Sequence, residues 1–127
     1  MTSDHLRLKA KRFNVDEKAR KVTSLEVMAI DFKRMASELT CQIAAEEART
    51  HVKDPTHAAY STLAKAAMLR RTNLLNSVTA LRTKLDIVKR ELEEAKAELQ
   101  ALELTEKREA NRQLHEIDHT VAEARPI

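Results

Sequence analysis

The sequence predicts an all-α protein: a long two-helix antiparallel coiled-coil hairpin with an overhanging C-terminal helix end. Three observations carry this reading. Between residues 74 and 102 the apolar side chains Leu74, Val78, Leu81, Leu85, Val88, Leu92, Ala95, Leu99 and Leu102 recur at alternating steps of four and three. That is the seam that winds one helix around another. The 127 residues include no Gly, only two Pro and 2% aromatics, too little turn chemistry and ring volume for a thick globular core. Finally, a single strong break, His51 to His57, divides two helical stretches long enough to cover each other.

The same composition bounds function. Ala, Leu, Glu, Lys and Arg dominate, as they do in long helices. Net charge is +3 with 34% charged residues, so both signs are interspersed and charge alone does not point to nucleic acid. Cys41 is the only cysteine, which excludes an intrachain disulfide and fits a reducing compartment. No apolar run approaches the roughly 20 residues of a membrane span, and the N-terminus lacks the apolar core of a signal peptide. The expected setting is cytoplasmic, in one elongated domain covering residues 1–127.

Helix one is expected over about residues 4–50, with Thr2, Ser3 and Asp4 each able to cap it. Its apolar positions fall at every seventh residue, Leu8, Val15, Val22, Ala29, Ala36 and Ile43, with Leu25, Phe32 and Leu39 between them. Lys11 and Lys18 hold the equivalent earlier positions, so the seam is read as weak before Val22. Met28 and Met35 flank it as packing residues. Cys41 falls on the outer face.

The turn is expected over about 51–57, because the residue before Pro55 disfavours helix. Helix two should then run over about 58–123. At ~1.5 Å per residue the two helices would measure about 70 and 95 Å, and a short connection favours antiparallel neighbours. With the turn near Pro55, residue i should face roughly residue 109 − i. This register sets Glu38 against Arg71, Glu26 near Arg82 and Lys84, and Arg12 near Glu98. The basic stretch Lys65 to Lys84, which contains no acid, meets Asp31, Glu38, Glu46 and Glu47.

Past Leu102 the pattern shifts. The old seam would continue through Glu106 and Glu109, while a new apolar stripe runs through Ala110, Leu114, Ile117, Val121 and Ala124. That offset is a four-residue stutter. By the same register helix one has no residues left to cover it.

Candidate sites follow from these placements. Arg70 and Arg71 lie near the turn with more positive charge than helix one can neutralise, and they are expected to meet an acidic partner surface. Leu114, Ile117 and Val121 are the expected docking face of the tail. His115-Glu116-Ile117-Asp118-His119 matches the H-E-x-x-H zinc motif as text, but a two-helix scaffold offers no cleft or third ligand, so no metal and no catalysis are assigned. Cys41 reads as an inert thiol, and His51 and His57 as solvated turn residues. No phosphate loop or Ser-His-Asp spacing occurs, so no cofactor is expected. The basic stretch lacks interleaved aromatics, which argues against nucleic acid.

Two segments resemble a known family. They are FNVDEK at residues 13–18, continuing into Arg20-Lys21-Val22, and DPTHAAY at residues 54–60, followed by AKAAMLRRTNLL at residues 64–75. Together they are similar to a subgroup of bacterial FliJ proteins, coiled-coil components of the flagellar type III export apparatus. The resemblance covers most of the chain in the same order. It implies an antiparallel coiled coil like the central stalk of rotary ATPases, with no enzyme activity of its own. It also implies three partners: the ring of the export ATPase FliI, the export gate protein FlhA, and export chaperones. The location implied is the cytoplasmic face of the inner membrane, reached only through protein partners. The alternative is a generic coiled-coil scaffold or assembly adaptor that self-associates.

Overall fold

The computed structural model describes the backbone of residues 2–124 and the side chains of residues 3–121. Two helices make up the described chain: α1, Thr2–Thr50, and α2, Thr62–Ala124, with no strand among the described residues. They pack against each other antiparallel, as the heptads require. Two ion pairs mark the register, Lys11 with Glu98 and, at 2.8 Å, Lys18 with Glu91. The residue numbers total 109 in both.

The seam of α1 is buried at Leu8, Val22, Leu25, Ala29, Ala36, Leu39 and Ile43, with Val15 and Phe32 half-buried. Along α2, Val78, Val88, Leu92 and Ala95 are buried, while Leu74, Leu81, Leu85, Leu99 and Leu102 are half-buried. The seam also extends upstream of Leu74, through Ala67 and Ala64 to Tyr60. Leu39, Ile43 and Ala67 form a compact cluster near the turn, with Met68 and Leu74 against it. Among the described residues only the small Ala64 falls below 2% exposure, because a two-helix seam leaves an edge of each larger side chain open to water.

Before Val22 only Leu8 is buried, in keeping with the weaker seam expected there, but Lys11 and Lys18 do not simply interrupt it. Lys11 and Lys18 are half-buried seam residues whose stems lie along the apolar contact while their ammonium groups reach Glu98 and Glu91 on α2. Tertiary contacts group the chain into two compact units, one from the segment up to Ala19 with the segment from Lys89, the other Arg20–Val88.

The turn is longer than expected, and α2 starts at Thr62 rather than near residue 58. α1 ends where His51 takes a left-handed conformation, φ 61°, and donates its N–H to the Glu47 carbonyl at 2.9 Å. This is the αL cap that glycine usually fills. Asp54 then accepts from the Thr56 N–H at 2.9 Å and the Thr56 hydroxyl at 2.8 Å, an Asx turn leading through Pro55. His57 accepts from the Ala59 N–H at 2.9 Å through Nδ1. Only Ser61 begins the helix: its hydroxyl oxygen accepts from the Ala64 N–H at 3.2 Å, three residues on.

Two side-chain bonds tie the start of α2 back to the end of α1. The Ser61 hydroxyl donates to Glu46 at 2.9 Å, and the Tyr60 hydroxyl donates to Glu47 at 2.7 Å. Bonds from Arg49, then from Ser61, hold the Glu46 carboxyl below its ordinary value. The bond to Glu47, then burial, raises the Tyr60 hydroxyl above 10.0.

Burial ranks the seam substitutions. Leu92→Ala should cost about 2–3 kcal/mol, and the half-buried Leu85→Ala less, about 1–2 kcal/mol. Cys41→Ser, at an exposed position, should leave the melting temperature unchanged. Thermal melts of the three variants check the order, which an equal loss at all three positions would contradict.

The turn should also be pH-sensitive at both ends. A depressed carboxyl stabilises the fold above its unfolded value, and Glu46 loses that contribution as pH falls through its folded value. A raised hydroxyl stabilises the fold below its unfolded value, and Tyr60 loses that contribution as pH rises above 10.0 through its folded value. In stability-against-pH curves Tyr60→Phe should flatten the alkaline limb alone, and Glu46→Gln should diminish the acid limb.

Candidate functional site

The basic stretch of α2 lies within the unit Arg20–Val88. Lys65, Arg70, Arg82 and Lys84 are exposed, whereas Arg71 occupies a seam position and is half-buried. Its guanidinium donates to the Thr40 hydroxyl at 3.2 Å, not to Glu38 as the register alone suggested. Arg70 and Arg71 therefore do different jobs despite being adjacent. Arg71 steadies the hairpin, and Arg70 faces water with no hydrogen bond or ion pair among the described residues.

Of the acids expected to face this stretch, Glu38 is exposed and makes no bond among the described residues, while Asp31, Glu46 and Glu47 bond elsewhere. Asp31 accepts from Arg34 at 3.5 Å within α1. Glu46 receives Arg49, whose Nε stands at 3.1 Å, together with Ser61, and Glu47 receives Tyr60. None of these acids bonds a basic residue of α2 among the described residues, and Lys65, Arg70, Arg82 and Lys84 remain exposed. Exposed charge of this kind supplies orientation and association rate more than raw affinity.

The tail belongs to the other unit. Glu106 and Glu109 are half-buried and carry the old seam forward, while Ala110 is exposed. Leu114, Ile117 and Val121 are 62%, 58% and 52% exposed, so the expected stripe is present and uncovered. The side chain of Ala124 lies outside the described residues. His115 and His119 are exposed, and among the described residues no group of three or more His, Cys, Asp or Glu stands together around one possible ion position. His51 and His57 are the helix cap and the Ala59 acceptor, so both have structural work in the turn.

One feature was not read from the sequence. Phe32 is half-buried beside Ala80, Leu81 and Ile87, with Lys84 at the rim, and together they line an open apolar groove on one side of the Arg20–Val88 unit. The available signal was Phe32 itself, a large ring at a seam position whose opposite number by register is the small Ser77. No described helix is long and apolar enough to cross a membrane. Set against known proteins, the chain matches no family model, no curated protein and no solved structure.

Proposed function

We propose that this chain is a non-enzymatic stalk component of a flagellar type III protein export apparatus. In this reading it engages the ring of a FliI-like export ATPase and links it to a FlhA-like gate and to export chaperones. It works at the cytoplasmic face of the inner membrane through these proteins, with no contact to lipid of its own. The observation that supports the reading best is the tail: a helix held at one end by a packed hairpin, presenting Leu114, Ile117 and Val121 to water. An apolar helical stripe of that kind suits a groove or the central opening of a ring. The resemblance of residues 13–22 and 54–75 to FliJ proteins supplies the identity of the ring.

The exposure of the tail stripe and of Arg70 supports a division of labour in this reading. The tail supplies apolar contact. Arg70 and its exposed basic neighbours supply attraction to an acidic surface. Arg71, committed to Thr40, contributes through the fold.

Co-purification with the export ATPase of the same organism, followed by an ATP hydrolysis assay, tests the reading. The chain should change the rate of the ATPase and hydrolyse nothing alone. Leu114→Asp with Ile117→Asp should abolish binding while leaving hairpin melting nearly unchanged, because both side chains are exposed. Arg70→Glu should weaken binding most at low salt. Unaltered co-purification of the double aspartate variant would remove the tail from the interface. A wild-type chain that ignores the ATPase would leave the generic scaffold as the better reading.

A further inference from the structure

The Arg20–Val88 unit carries a second coiled-coil pattern outside its seam. On α1, Met28, Phe32 and Met35 follow at steps of four and three, and both methionines are 41% exposed on either side of the half-buried ring. On α2, Arg70, Ser77 and Lys84 recur at every seventh residue, with Asn73, Ala80 and Ile87 between them. Phe32 lines one open groove together with Ser77, Ala80, Lys84 and Ile87, so the two rows border the same face. Heptad spacing on both walls is the spacing of a further helical contact. The walls differ in size. The α1 row is bulky, whereas α2 presents the small Ser77 and Ala80 across from the ring.

The face also holds one acid and one base that the hairpin leaves unused. Glu38 stands three residues past Met35, and Arg70 opens the α2 row. Both are exposed, and neither has a hydrogen bond or ion pair among the described residues. The Arg71–Thr40 bond, 3.2 Å long, puts Glu38 and Arg70 at nearly the same height along the unit.

We propose that this groove is a self-association face, on which a second copy of the chain packs about a two-fold axis parallel to the helices. That rotation keeps every residue at its height and lays α1 of each copy over α2 of the other, antiparallel, as in a four-helix bundle. Phe32 then stands over Ser77 of the other copy, Met28 beside Ala80 and Met35 beside Asn73, so the bulky row of each copy fills the small-residue row of the other. Glu38 of each copy meets Arg70 of the other. The competing arrangement turns one copy end over end about Phe32. It lays ring on ring and sets Arg70 against Lys84, because each lies seven residues from Ser77. Size and charge therefore both select the first arrangement. The contact is a few layers long and the pairing weak. It engages Arg70, assigned above to an acidic partner, so that partner and the second copy exclude each other.

Sedimentation velocity on the full chain alone, up to about 0.5 mM, should show a monomer–dimer equilibrium. Met28→Glu with Met35→Glu should hold the chain monomeric with helix content unchanged. Ala80→Glu, at an exposed position of the other wall, should do the same. Arg70→Glu and Glu38→Arg should each weaken the dimer about tenfold. An equimolar mixture of these two variants should associate as the wild type does, since each then meets its opposite charge only on the other copy. Orientation is read by a spin label at Lys53→Cys in a Cys41→Ser background. Turns at the same end should give about 30 Å or less between copies, and the end-over-end arrangement about 60 Å. A chain that stays monomeric, a dimer that survives Ala80→Glu, a mixture no tighter than its components, or the longer label distance would each overturn the proposal. No ATPase is present in these measurements, so their outcomes do not bear on whether the chain serves export.

Discussion

Everything in this fold depends on keeping two helices in one register. With a core a single seam wide, a slip by one residue would turn Leu39, Ile43 and Ala67 away from each other and put Lys11 and Lys18 out of reach of their glutamates. Several core positions are small: Ala29, Ala36, Ala64, Ala67 and Ala95 are all buried. They allow close approach but fit many registers equally well. Specificity must come from elsewhere, and the turn is the natural source. Ser61 on Glu46 and Tyr60 on Glu47 fasten the first residues of the returning chain to the last turn of α1. Once those bonds form, each later pairing is a local step. Contacts near the turn close the shortest loops, so they cost the least chain entropy.

The hairpin was legible because its period is redundant. Leu8 through Ile43 at every seventh residue, and the four-three alternation from Leu74 to Leu102, both match burial. The exposure of Cys41 followed from the same phase. What escaped was chemistry that a hydrophobic pattern does not encode. Lys11 and Lys18 looked like interruptions, yet a lysine stem is itself apolar and can lie in a seam while its charge leaves it. The start of α2 was placed early because proline announces a turn without giving its length. Asp54, His57 and Ser61 each capture a backbone N–H in succession and postpone the helix to Thr62. Arg71 was grouped with Arg70 on charge, although its seam position already distinguished the two. The phase change past Leu102 was legible too, and Ala110, Leu114, Ile117 and Val121 are exposed.

The distribution of charge has a simple physical origin. A carboxylate on a helix finds a basic residue three positions away more cheaply than one across the hairpin, because both side chains are already held at that spacing. Asp31 with Arg34, Glu93 with Lys96 and Glu109 with Arg112 all take that option. Such exposed pairs are worth little individually, below ~1 kcal/mol. Their consequence is larger than their energy. Asp31 is paired on the helix that carries it and not with the basic stretch of α2, four of whose five cations are exposed.

The stutter matters because of the direction it sets. The old seam would continue through Glu106, Glu109 and then Gln113, whereas the stripe takes Ala110 and Leu114, one residue later in each case. One residue on an α-helix is a rotation of about 100°. A helix that docks on the tail therefore approaches α2 from a different side than α1 does. Glu106 and Glu109, half-buried on the old side, keep that side polar. Without the stutter, an apolar seam along the old side would compete with α1 for any incoming helix, and binding would loosen the hairpin. With it, the packed seam and the open stripe occupy different sides of one continuous helix. The tail can then be covered and uncovered while the fold that holds it stays closed.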